Sequence, residues 1–198
     1  MVHEAKAVSR HHGNRHQRSE DARQAVLNAA DDLLVRKGFA GVTMEGIAAA
    51  AGVAKQTIYR WWSSKTEVLM DAFLEDAAQH LTPVDHGDLD RDLRSHLRGL
   101  AWFLRDSDPG AVFKALVGVA QHDPVFAAAF RARYLDEQRE RDRLPLERAV
   151  RRGELPADFD VAGETERLLA PLYYRVLVTG EPVDDAFADR LVAGFLAR

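Results

Sequence analysis

"GVAKQTIYRWWSSK", residues 52–65, places two tryptophans, a tyrosine and three cations in fourteen positions of a chain whose net charge is −4. Gly52 interrupts a helical pattern, and Val53 and Ile58 return apolar side chains to the core used by Ile47 and Ala48. Thr43 is placed to cap the preceding short helix, which runs through about Ala50. A small residue at 48 and glycine at 52 let two helix backbones cross closely at a steep angle. That is a helix-turn-helix arrangement, with residues 54–61 as the helix offered to a DNA major groove.

The other residues of the segment fit that use. Lys55, Gln56 and Thr57 stand at the N-terminal end of the second helix, where side chains reach base edges. Tyr59 can donate its hydroxyl to a phosphate, and Arg60 adds charge. Lys65 lies in the first turn of the next helix, where the macrodipole disfavours a cation by about 0.3–1 kcal/mol. A helix N-terminus with a lysine forms a phosphate site, so DNA offsets that cost. Trp62 is expected in the core. Trp61 is either a packed edge or a phosphate contact.

Charge is distributed unevenly. Residues 1–65 carry ten Lys and Arg against six Asp and Glu, and the remainder seventeen against twenty-five. The basic end is suited to a polyanion. Cysteine is absent, which excludes disulfides, thiolate metal sites and a cysteine nucleophile, and fits a reducing compartment. No apolar run is long enough for a membrane span, and residues 1–20 lack the apolar region of a secretory signal. A cytoplasmic protein is expected.

Periodicity is helical throughout, and no run alternates as a strand does. The expected fold is all-α with about nine helices. Residues 1–18, rich in His and Arg and aperiodic, read as a disordered tail. Residues 19–65 read as the helix-turn-helix domain, with Gly38 at the end of its first helix. Residues 66–198 form a larger helical domain for ligand binding and dimerisation, entered through a connecting helix at 64–81 that a Ser64–Glu67 capping box opens. Asp108-Pro109 and Asp123-Pro124 read as caps followed by proline, and Pro145 as a kink in the long helix after the second.

"TMEGIAAAAGVAKQTIYRWWSSKTEVLMDAF", residues 43–73, resembles the DNA-binding segment of the TetR family of transcriptional regulators. The ordered positions are Thr, Ile, Ala, Gly-Val, Thr-Ile-Tyr, an aromatic pair, Ser-Lys and Leu. The resemblance implies phosphate contacts from Thr43, Tyr59 and Lys65, and places Lys55, Gln56 and Thr57 against bases or nearby phosphates. Ala54 departs from the serine or threonine common there, so that hydroxyl contact is not carried over. "PLYYRVLVTGEPVDDAF", residues 171–187, resembles the C-terminal end of one subgroup. Over about 19–198 the likeness implies a homodimer that represses from a palindromic operator until an effector binds.

In relatives, the helices bearing Trp102, Phe113, Leu116, Val117, Phe126, Phe130, Tyr134 and Tyr174 surround the ligand cavity. Each of these is a core residue or a pocket wall. His96 shares the apolar face of Leu89, Leu93 and Leu100 and is either a buried histidine bonded to a neighbour or a ligand contact; Gln121 and His122 are weaker candidates. The mixture fits an apolar or aromatic small molecule held by a few hydrogen bonds. The helix near 162–179 carries Leu168, Leu169, Leu172, Tyr173 and Val176 on more than one face. The last helix carries Phe187, Leu191 and Phe195. The resemblance implies a four-helix dimer interface built from both.

No phosphate loop, nucleophile elbow or cofactor motif occurs, and the histidines at 3, 11, 12 and 16 read as tail rather than metal ligands. No enzyme is expected. The competing reading is a helical small-molecule or lipid carrier that keeps the helix-turn-helix only as structure. The basic N-terminal third and the awkwardly placed Lys65 weigh against it.

Overall fold

A computed structural model describes residues 11–197, and every regular element among them is helical. In order these are α1 (His11–Gly41), α2 (Met44–Ala50), α3 (Lys55–Trp61), α4 (Lys65–His80), α5 (Leu89–Asp106), α6 (Asp108–Ala120), α7 (Pro124–Phe130), α8 (Asp136–Arg152), α9 (Val161–Tyr174) and α10 (Asp185–Leu196). A π-helical turn, Arg131–Leu135, joins α7 to α8 without a break, and another, Arg175–Thr179, prolongs α9. Nine continuous rods result among the described residues, as the periodicity predicts. The chain divides into two compact units, Met1–Ala72 and Phe73–Arg198. The division falls inside α4, seven residues beyond the expected boundary at 65/66.

In the first unit, α1 begins at His11, so residues 11–18 are helical where the sequence reading expects a disordered tail. An apolar stripe nucleates the helix further along, and each polar residue added at its end costs little. The rest of the expected tail, residues 1–10, lies outside the described residues. Gly38 takes positive φ and ends the regular part of α1. The core joins Val26, Leu27, Ala30, Leu33 and Leu34 of α1 to Val42, Ile47, Ile58, Trp62, Val68 and Leu69.

The turn between α2 and α3 is fixed by backbone bonds. Gly52 has φ 67° and donates its N–H to Ala49 O, while Val53 N–H reaches Ala48 O at 3.0 Å. This paired closure satisfies carbonyls that the end of α2 leaves free, and its left-handed residue favours glycine. Thr43 caps the other end of α2, its hydroxyl accepting from Gly46 N at 3.0 Å. Ser64 Oγ accepts from Glu67 N, and the Glu67 carboxylate accepts from Ser63 N, one residue before the cap.

The second unit is centred on aromatic rings. Phe73 meets Phe103, Phe113, Phe130 and Tyr134, the closest pair being Phe73–Tyr134 with centroids 4.6 Å apart. Such pairs add about 0.5–1.5 kcal/mol each beyond the area they bury. Ser107, rather than the expected Asp108, caps α6: its Oγ accepts from Gly110 N and donates to Phe103 O, closing α5 and opening α6 together. A Cβ at Gly110 would lie 2.0 Å from Phe103 O, so that junction needs glycine. α8 runs on through Pro145 to Arg152.

Two polar links set the helices around the cavity described below. Buried Asp92 on α5 accepts from His86 N and pairs with Arg152 at the end of α8, at 3.1 Å. Arg98 on α5 grips Asp189 on α10 through two bonds of 2.8 and 2.6 Å.

Candidate nucleic-acid interface and ligand cavity

Only seven residues long, α3 is held by what it buries. Ile58 is fully buried, and Trp62 is buried just past the helix end with its indole N–H donating to Asp71 Oδ2 at 2.8 Å. The placement of Trp62 in the core is thereby met. On the other side of α3, Lys55, Gln56, Tyr59 and Arg60 are all exposed, and Thr57 is half-buried. Thr43 is exposed at the start of α2. Trp61 is half-buried, edge-on to Trp62, with the Arg60 guanidinium over its ring at 5.5 Å. These residues form one polar and cationic row with aromatic backing.

Two cationic side chains already have partners. The Lys55 ammonium lies 2.6 Å from Glu45 Oε1, the same oxygen that accepts the Tyr59 hydroxyl at 3.2 Å. The hydrogen bond from Lys55 holds the Glu45 carboxyl below its ordinary range and raises Lys55 in turn. Lys65 donates to Phe39 O at 2.7 Å and Val42 O at 3.0 Å, and its ammonium sits 4.2 Å from the centre of the Phe39 ring. A cation in the first turn of α4 is therefore explained within the chain, because it satisfies carbonyls between α1 and α2. Two of its three protons are committed there.

A cavity of about 370 Å³ in the second unit opens between α8 and α9. Phe113, Leu135, Leu169 and Tyr173 make its apolar wall, and Gln138, Asp142 and Thr165, with Arg139, Arg143 and Glu166, its polar one. Gln138, Asp142 and Thr165 are buried. Gln138 donates to Asp142 Oδ1 at 2.7 Å, and Arg141 Nε donates to Gln138 Oε1 at 3.0 Å, which fixes the amide's orientation. His96 Nε2 lies 3.1 Å from Asp142 Oδ1, out of line for a hydrogen bond. Burial, then the nearby Tyr134 and Asp142, push the Tyr173 phenol well above its ordinary range, so it remains a neutral donor.

A second apolar surface lies on α9 and α10. Tyr174 is 58% exposed and Val178 69%, with Leu177 and Leu196 also exposed. Beside them runs a groove lined by Leu168, Pro171, Leu191, Gly194 and Phe195, with Glu164, Arg167 and Arg190 also on its wall.

Comparison with known proteins bears on both units. Residues 26–72 match the family model described as bacterial regulatory proteins, tetR family, and residues 83–194 match the tetracyclin repressor-like C-terminal domain. The chain belongs to the TetR family. The uncharacterized HTH-type transcriptional regulator YdeS of Bacillus subtilis is 39% identical over 88% of each chain. The DNA-binding transcriptional repressor TetR of Mycobacteroides abscessus is 34% identical over 88% of this chain and 92% of its own. The crystal structure of the TetR family transcription regulator SCO0332 is 34% identical, with a TM-score of 0.75 over 89% of this chain and 97% of that one. The protein is thus a transcriptional regulator of the TetR family, a family of regulators rather than enzymes.

Within the TetR fold, the expected site residues separate. Of the expected pocket set, Phe113 lies on the large cavity and His96 on two smaller clefts beside it. Leu116, Phe130 and Tyr134 are buried core, while Val117 and Phe126 are half-buried, Phe126 stacking on Phe130. Trp102 and Tyr174 point to solvent, Trp102 beside the His80 ring. Of the expected interface set, Leu168, Leu169, Leu172, Phe187 and Phe195 are buried within the single chain, Tyr173 lines the cavity, and Val176 and Leu191 are half-buried. Sequence reasoning passed over Gln138, Asp142 and Thr165. A signal existed, since residues 130, 134, 138, 142 and 146 follow one another at helical four-residue spacing.

Proposed function

We propose that the protein is a homodimeric repressor that leaves a palindromic operator when a small apolar or aromatic molecule fills the cavity between α8 and α9. The observation that carries the DNA half is the row of Lys55, Gln56, Tyr59 and Arg60, exposed on a helix that Ile58 and Trp62 anchor. In this reading Lys55, Gln56 and Thr57 meet base edges or nearby phosphates, and Thr43, Tyr59, Arg60 and Trp61 meet the backbone. Lys65 holds the turn between α1 and α2 with two protons and offers the third to a phosphate. A relative at 34% identity named as a DNA-binding transcriptional repressor supports repression over activation.

The apolar face bearing Tyr174 and Val178 is the proposed dimer seam. Two copies are needed because half-sites of a palindrome lie about 34–36 Å apart. No helix among the described residues is long and apolar enough to cross a membrane. A regulator of this kind works beside the chromosome, in the cytoplasm. Footprinting on the DNA upstream of the gene tests the reading. A protected palindrome that an added effector releases is expected. Equal affinity for that DNA and for random sequence at every salt concentration would leave the carrier reading standing instead.

A further inference from the structure

We propose that the cavity between α8 and α9 selects a cation, namely an apolar or aromatic body carrying one protonated amine, with Asp142 as its counter-ion. This rests on the ligand-responsive reading above and names the class of ligand. Asp142 is only 8% exposed and stands on the cavity wall. Among the described residues no lysine or arginine pairs with it. The arginines nearby on α8 are taken: Arg139 by Glu166 at 3.3 Å, Arg141 by Glu137 at 2.9 Å and Arg143 by Glu140 at 2.7 Å. Arg148, further along α8, lies 3.6 Å from Asp85.

Both close partners of Asp142, Gln138 and His96, meet the same oxygen, Oδ1. The second oxygen has no bond to a described group. A nearly buried carboxylate with a neutral amide, a misaligned imidazole and a second oxygen that solvent still reaches has no cation paired with it among the described residues, and a ligand cation supplies one. Phe113 and Tyr173, with ring centroids 5.9 Å apart, add aromatic surface that also favours a cation. A fatty carboxylate entering head first meets Asp142 and is repelled. Arg139 and Arg143 also line this cavity, but each is already paired with a carboxylate. At about 370 Å³ the space suits a two-ring compound.

The test uses three probes of one shape on the full chain: 2-(1-naphthyl)ethylamine, 2-(1-naphthyl)ethanol and 3-(1-naphthyl)propanoate. Calorimetry near pH 7 should rank the amine at least tenfold tighter than the alcohol, with the carboxylate weakest. Asp142→Asn keeps an acceptor for Gln138 and should bring the amine to within about twofold of the alcohol while leaving the alcohol unchanged. Circular dichroism of the variant establishes that it is folded. Glu166→Gln, at the same cavity but paired with Arg139, should preserve the ranking. An amine no tighter than the alcohol, a preference that survives Asp142→Asn, a tightest-binding carboxylate or no binding of any probe each overturns the proposal. Gel shifts run alongside separate the two ideas. An amine that binds as predicted without altering DNA affinity leaves cation selection intact and sinks only the effector reading.

Discussion

At Glu45 one carboxylate oxygen takes both the Lys55 ammonium and the Tyr59 hydroxyl, so DNA that uses either group has to displace it. Glu45→Gln should therefore tighten binding to operator and random DNA alike, by roughly fivefold at low salt, and steepen the salt dependence by about 0.9. Because Lys55 holds the carboxyl below its ordinary range, the contact persists at neutral pH and is lost only as pH falls through that lowered value. Unchanged affinity in the variant would show that DNA does not use those groups. Lys65→Met removes two bonds to carbonyls while keeping a stem over Phe39, and should cost about 1.5–3 kcal/mol in thermal or denaturant unfolding. The salt slope of the folded variant should also flatten by about 0.9. Lower stability with an unaltered slope assigns Lys65 to the turn alone. Lys55 and Tyr59 were legible from the spacing after Gly52. Glu45 was not, since an acid in the first turn of a helix reads as a partner of the dipole. Nor was the bond from Lys65, because its acceptors are backbone carbonyls 23 and 26 residues away.

Helix phase governs which residues α8 and α9 turn inward. On α9, Thr165, Leu168, Leu169 and Leu172 occupy the buried arc. Tyr174 follows Leu172 by two residues, about 200° around the helix, and so faces out. Apolar content alone could not separate the two faces, because both are apolar; the neighbouring α10 decides which one the chain covers itself. The same logic hid Asp142, which lies in the charged run "EQRERDRLPLER" that composition reads as a solvated face. Only its step of four from Tyr134 and Gln138 places it inside. The two faces of α9 predict two phenotypes. Val178→Asp should turn a species of about 44 kDa, twice the 22.1 kDa chain, into one of half that mass in sedimentation while the monomer stays folded. Leu172→Ala should instead lower stability by about 2–5 kcal/mol. A Val178→Asp chain that still sediments as a dimer excludes this face as the seam.

Across the whole molecule, repression with release is a coupling between two binding events, and its size has to be the same from either end. If a naphthylamine weakens operator binding by some factor, operator DNA weakens naphthylamine binding by that same factor, because both describe one free-energy cycle. Couplings of this kind span about 5- to 150-fold. The cycle further requires that the ligand raise the melting temperature of the free protein, since it binds the folded chain and not the unfolded one. Asp142→Asn enters the cycle on one side only. It should reduce the amine's affinity and its thermal shift while leaving operator affinity without ligand unchanged. Glu45→Gln enters on the other side, tightening DNA without altering amine binding to the free chain. The measurement is calorimetry of the amine with and without saturating operator, set beside operator titrations with and without saturating amine. Equal ratios are expected. Ratios of one at both ends, with the amine bound to the chain, mean that ligand and operator binding are uncoupled, and the repressor-with-effector reading then fails.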